Sequence, residues 1–320
     1  MEMNNDLKVF HRRSSAGCIV GGYRLYTSIF RRLLRSSWPM AVVYALAMAL
    51  MSGYFINRVI RLTGIDSVVA PDAAKQQLTG TMTVWGLLVL LFLVCAAVLA
   101  SYGFSALREH QATGEVVRSK HWYGSFDSAM LGRVALTALW LLVAVLIAGG
   151  LATGLFMLAS QTGLTTLYVA VGVFSLLVVF AMLPLSYTVY KSVLAERFVP
   201  YPPLKGYLNG LGHFGMLLVV IIVTFLITLL LTLIIQLPAL ILYTANIQAQ
   251  LGLSRGDELG IPEGIQRLSL VVFFIAGFIQ GYVHLSTLFP LYYAYGTIVQ
   301  EERERVEMQS AEHPHQASEL

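Results

Sequence analysis

Residues Leu164–Phe214 read LTTLYVAVGVFSLLVVFAMLPLSYTVYKSVLAERFVPYPPLKGYLNGLGHF. Three events follow one another. An apolar run, Leu167–Tyr190, closes on Pro184-Leu185-Ser186-Tyr187. A polar link then passes through Ser192-Val193-Leu194-Ala195-Glu196 and is stiffened by Pro200, Pro202 and Pro203. Last comes a short amphipathic segment, with Leu204, Tyr207, Leu208 and Leu211 on one face, that leads into the next apolar run.

Similar apolar runs occur along the whole chain: Trp38–Ile56, Met82–Phe104, Val134–Leu158, Leu167–Tyr190, Phe214–Tyr243 and Leu268–Ile298. None holds an Asp, Glu or Lys. Each is long enough for a hydrocarbon core of roughly 30 Å, which takes about 20 helical residues. Alternation with period two is absent, and only helices or closed barrels satisfy their backbone in lipid. With 57% hydrophobic and 12% charged residues, the composition agrees. The predicted fold class is all-α: a polytopic membrane protein of six transmembrane helices in three hairpins, with short interfacial helices. The predicted organisation is a flexible basic leader over 1–22, one six-helix domain over 23–300 (spans about 38–56, 82–104, 134–158, 167–190, 214–243 and 268–298), and an acidic tail over 301–320.

Charge sets the orientation. Sixteen Lys and Arg residues lie before the first span, after the even spans and in the tail, against five in the three opposite loops. Basic residues are retained on the cytoplasmic side, which places both termini there, in the cytoplasmic (inner) membrane. The net charge of +4 is explained by this bias and gives no reason to invoke nucleic acid.

From Tyr23 a helical pattern begins. Tyr26, Ile29, Phe30, Leu33 and Leu34 share one face, and Arg24, Arg31, Arg32 and Arg35 the other. A basic amphipathic helix of this kind is expected to lie in the headgroup plane and to contact anionic lipid through those arginines. Ser36-Ser37 and Trp38-Pro39 are expected to turn the chain into the first span. In the third span, Gly150-Leu151-Ala152-Thr153-Gly154 offers a face that another helix could approach closely. Pro238 is expected to mark the outer end of the fifth span or a kink in it.

The order of events in Leu164–Phe214 is echoed. Leu99-Ala100-Ser101-Tyr102, Pro184-Leu185-Ser186-Tyr187 and Pro290-Leu291-Tyr292-Tyr293 each close an even span. A Ser or Thr with a Glu four residues on follows each: Ser105/Glu109, Ser192/Glu196 and Thr297/Glu301. Internal repetition accounts for this. So does the common demand for aromatic and charged residues where a helix leaves lipid.

On Pro184, Glu196, Leu204 and Tyr207 the chain resembles the bacterial six-helix membrane domains found beside glycerophosphoryl diester phosphodiesterases. In those domains a kinked even span leads through a Glu-containing link to a short helix. The resemblance covers roughly the last two-thirds of the chain and implies a membrane domain. It implies no enzyme activity, because His11-Arg12-Arg13 lacks the glycine and acidic partners of a phosphodiester site.

Chemistry-bearing motifs are few. There is no intramembrane carboxylate, no His-Glu-x-x-His helix and no Gly-rich loop ending in Lys-Ser or Lys-Thr. Cys18 and Cys95 stand apart, so the sequence assigns no catalytic residue, metal or cofactor. What it does offer is a polar seam. Thr224, Thr228, Thr232 and Gln236 recur every four residues on the fifth span, and Gln280, His284 and Thr287 share a face of the sixth beside Gly277 and Gly281. Antiparallel pairing would set Thr224 and Thr228 at the depth of Gln280 and His284, with Gln236 nearer the outer surface. As plain packing these residues are interhelical glue. In the sharper reading, His284 binds a polar solute, a lipid headgroup or a proton. The sequence therefore points to a non-enzymatic scaffold or regulator whose partners are membrane lipids and a membrane or cytoplasmic protein, with homo-oligomers admitted. The alternative is a small-solute or lipid permease using the seam.

Overall fold

The chain is described by a computed structural model over residues 9–63, 71–113, 127–162, 165–195, 204–254 and 264–312. Eight helices occupy them: α1 Ser15–Thr63, α2 Pro71–Thr113, α3 Ser128–Thr162, α4 Thr165–Leu194, α5 Leu204–Gly212, α6 Phe214–Ser254, α7 Ile265–Ser286 and α8 Leu288–Glu312. No strand occurs among the described residues. Six helical stretches are long and apolar enough to cross a membrane, and the fold is that of an all-α, multi-pass membrane protein. Glu196, Pro200, Pro202, Pro203 and Pro262 lie outside the described residues.

Prolines decide where the helices differ from expectation. Ser36–Pro39 makes no turn, because α1 is one helix of 49 residues with Pro39 inside it. It begins at Ser15, eight residues before the amphipathic pattern does. Pro39 removes one backbone bond, but Ser36 and Ser37 are buried and the Ser37 hydroxyl lies 3.2 Å from that of Tyr282. Packing holds the helical path that the proline alone would weaken. α6 likewise runs through Pro238 to Ser254, with Ala239 fully buried, so Pro238 does not end the fifth span.

The sixth span, by contrast, is two helices. α7 stops at Ser286 and α8 starts at Leu288. In a continuous helix the Pro290 ring would press on the Ser286 carbonyl and give it no N–H. In the first turn of α8 that missing N–H costs nothing. The Leu288 carbonyl, in the first turn of α8, accepts from the Tyr190 hydroxyl at 2.7 Å.

The chain divides into two compact units, Met1–Leu33, Ser101–Phe225 and Ser286–Leu320 in one, Leu34–Ala100 and Leu226–Leu285 in the other. The first is built on α8, where Phe289, Tyr292, Tyr293, Ala294, Thr297 and Ile298 are fully buried. Gly22, Gly210 and Gly296 allow close approaches within this unit. A Cβ on Gly22 would overlap the backbone of Pro290, and one on Gly210 would lie 2.9 Å from the Pro184 carbonyl oxygen. The two Pro-Leu-x-Tyr phrases thus meet the same kind of partner, a glycine on an amphipathic helical segment. In the turn loosened by Pro184, Tyr207 donates to the Ala181 carbonyl at 3.2 Å. α3 and α4 pack along one another, as their tight connection predicts. Gly150 and Gly154, expected to admit a helix, have nothing within 4 Å of their would-be Cβ positions.

In the second unit α7 lies against α1 through Gly277 and Gly281. Added Cβ atoms there would sit 3.2 Å from the Cα of Ala45 and 3.2 Å from the Tyr44 ring. The Tyr44 ring in turn packs on Phe92 of α2, with centroids 4.7 Å apart. Ala49, Ala239 and Phe273 form a small buried cluster.

Backbone cannot yield as a side chain can, so Gly22→Ala and Gly210→Ala should each destabilise the protein by about 1–3 kcal/mol, the range for overpacking. Gly150→Ala should stay within about 0.5 kcal/mol of wild type. Unfolding monitored in one fixed detergent checks both statements.

Candidate functional site

Hydrocarbon offers a polar side chain no water, so such groups find each other. In the second unit a chain of them crosses three helices. The Gln236 amide of α6 donates to the Gln280 side-chain oxygen of α7. The Gln280 amide nitrogen lies 3.3 Å from His284 Nε2, and His284 Nδ1 lies 3.4 Å from the Tyr44 hydroxyl of α1. Gln280 is 8% and Tyr44 2% exposed, whereas His284 keeps an exposed surface.

The structure therefore joins Gln236, Gln280 and His284 from the predicted seam, in a different register. Gln280 was expected opposite Thr228 and instead meets Gln236, eight residues further along α6, a slide of about 12 Å. The cause is the length of α6. Because the helix continues past Pro238 to Ser254, Gln236 lies near its middle rather than near its outer end. Thr232 and Thr228 sit about one and two turns away along α6, half-buried. Thr224 and Thr287 belong to the first unit, the former buried and the latter half-buried. Tyr44 was missed, since a tyrosine in an apolar run looks like any other interfacial or packing aromatic.

A second polar assembly lies in the first unit and gathers on Glu301 and Glu302 of α8. Arg12 Nε is 3.2 Å from one Glu301 oxygen, and His213 Nε2 is 3.0 Å from the other. His213 forms the bend between α5 and α6, and its Nδ1–H donates to the Asn209 carbonyl at 3.1 Å. The Tyr187 hydroxyl lies 3.3 Å from both Glu302 oxygens. Arg12 is 73% exposed, so its arm contributes roughly 0–1 kcal/mol; His213, at 14%, is the arm that fixes Glu301. The acidic residues expected to begin a solvated tail are thus anchored. The Ser/Thr-x-x-x-Glu echo was the available signal, for its Glu109 is ion-paired as well, to Arg32 at 2.5 Å.

That pair changes the reading of the basic face. Arg32 points to Glu109, and Arg24, Arg31 and Arg35 are exposed. Arg13 is also turned inward, its guanidinium 4.6 Å above the Tyr293 ring. Among the described residues no group of three His, Cys, Asp or Glu could hold a metal ion.

If the chain through Gln236 and Gln280 is structural, a double-mutant cycle with Gln236→Leu and Gln280→Leu should give a coupling of about 0.6 kcal/mol and below about 2. Each single change should cost more than the pair's coupling, because it strands a buried amide.

Comparison with protein-family models, with curated proteins and with solved structures finds no match to this chain.

Proposed function

We propose that this chain is a non-enzymatic scaffold or regulator of the cytoplasmic membrane, with both termini on the cytoplasmic side, that holds anionic lipid headgroups on α1. The observation that carries the reading is a row of exposed basic residues. Arg24, Arg31 and Arg35 are exposed on one helix at spacings of seven and four. Such spacings return to one side of a helix, and Trp38, three residues on and 49% exposed, adds an aromatic suited to the headgroup level. The same continuous helix carries these arginines and the first span.

A second reading, a permease for a small solute or lipid, is favoured by one feature. The sixth span breaks at Ser286, two residues past His284, near the middle of its apolar run. Discontinuous helices at mid-membrane recur where transporters bind substrates and ions. The bonded Gln236–Gln280 contact weighs against it, as a seam already closed by its own side chains.

Basic residues near an anionic surface contribute about 1 kcal/mol each, so Arg24→Gln, Arg31→Gln and Arg35→Gln together should weaken retention of anionic lipid about a hundredfold at low salt. Native mass spectrometry of the protein extracted from mixed anionic and zwitterionic bilayers would read this. His284→Ala should leave retention unchanged. Retention that survives the triple change would defeat the headgroup reading.

A further inference from the structure

Hydrogen-bond direction along the chain through His284 follows from its members. An amide nitrogen can only donate, so Gln280 Nε2, 3.3 Å from His284 Nε2, must find a lone pair there. A neutral imidazole then carries its one proton on Nδ1, from which it donates to the Tyr44 oxygen at 3.4 Å. Gln280 is fixed in turn, because its oxygen accepts from Gln236 Nε2. The chain thus runs one way, Gln236 to Gln280 to His284, with a second donation from His284 to Tyr44.

We propose that His284 is a proton-binding site whose occupancy reverses this chain. A proton from hydronium bonds to the Nε2 lone pair, leaving water and an imidazolium. Part of the His284 side chain is left uncovered by the rest of the chain, and water reaching that face supplies the proton. Two donors, Nε2–H and the Gln280 amide, then face each other. Gln280 relieves this by rotating its amide by half a turn, which presents oxygen to His284 and nitrogen to Gln236. Gln236 must rotate as well, or the α6–α7 bond is lost. One proton on α7 is thereby reported on α6.

The groups around the site are neutral. They are Tyr44 on α1, Gln236 on α6 and Gln280 on α7 itself, while α2 brings Phe92, Cys95 and Leu99 on one face. Tyr282, the next ionisable group on α7, has its hydroxyl 3.2 Å from that of Ser37. No charged side chain is among these described neighbours. The proposal takes up the proton alternative for His284 and requires no transport, so it stands apart from both functional readings.

The test is nitrogen-15 magnetic resonance on the full chain in lipid nanodiscs, labelled at histidine and glutamine and followed through a pH series. His284→Gln assigns the ring signals. Tyr44→Phe assigns them independently, by shifting only the ring bonded to it, should the first variant fail to fold. At neutral pH the His284 ring should carry its proton on Nδ1 with a bare Nε2. On acidification both nitrogens should be protonated, and the Gln280 and Gln236 amide signals should move with the same midpoint. A ring proton on Nε2 at neutral pH, a ring that stays neutral down to unfolding, or glutamine amides that do not move as the ring titrates would each overturn it.

Discussion

A backbone amide or carbonyl left open in hydrocarbon costs several kcal/mol, and almost everything in this fold follows from avoiding that cost. It forces the apolar runs into helices and makes each proline a local problem. At Pro39, Pro184 and Pro238 the helix continues, one bond short. At Pro290 it does not. There the chain ends α7, begins α8 with the proline in its first turn, and gives the Leu288 carbonyl to the Tyr190 hydroxyl. Gly22 lets a helix backbone sit directly on Pro290, as Gly210 does at Pro184.

The same constraint explains which polar side chains pair. Gln236, Gln280, His284 and Tyr44 lie on three helices and form one chain, whereas the tail-side acids Glu109, Glu301 and Glu302 take partners from elsewhere in the first unit. In both cases a group that would otherwise face low dielectric is answered by another segment of the chain. The answered groups act as ties between helices. Arg24, Arg31 and Arg35 on α1 are exposed.

Much of this was legible from residues alone. Span number and type followed from apolar length, and Gly277 and Gly281 were recognisable as a close-packing face because small residues four apart rarely have another use in a span. Three things were not legible. Register between α6 and α7 depends on where α6 ends, and Pro238 was a misleading marker because a proline inside a well-packed helix costs only about 3 kcal/mol. The role of Gly150-x-x-x-Gly154 depends on whether a neighbour is present, which spacing cannot report. His213 carries no pattern of its own, since a single histidine between Gly212 and Phe214 gains its meaning only when α8 brings Glu301 to it. The echoed phrases were read as repetition or as a membrane-exit pattern, and neither reading anticipates that Glu109 and Glu301 are each ion-paired with a basic residue near the N-terminus.

Sidedness underlies the functional account, because headgroup binding by α1 requires its arginines to face the cytoplasm. Cys18 and Cys95 are both buried, so each can be replaced to leave a cysteine-free background. Single cysteines are then introduced as Arg31→Cys and Ser310→Cys, both at exposed positions. They are challenged with a membrane-impermeant maleimide in right-side-out and inverted membrane vesicles. The account predicts labelling of both in inverted vesicles alone. Labelling of either from the outer face of right-side-out vesicles would contradict it.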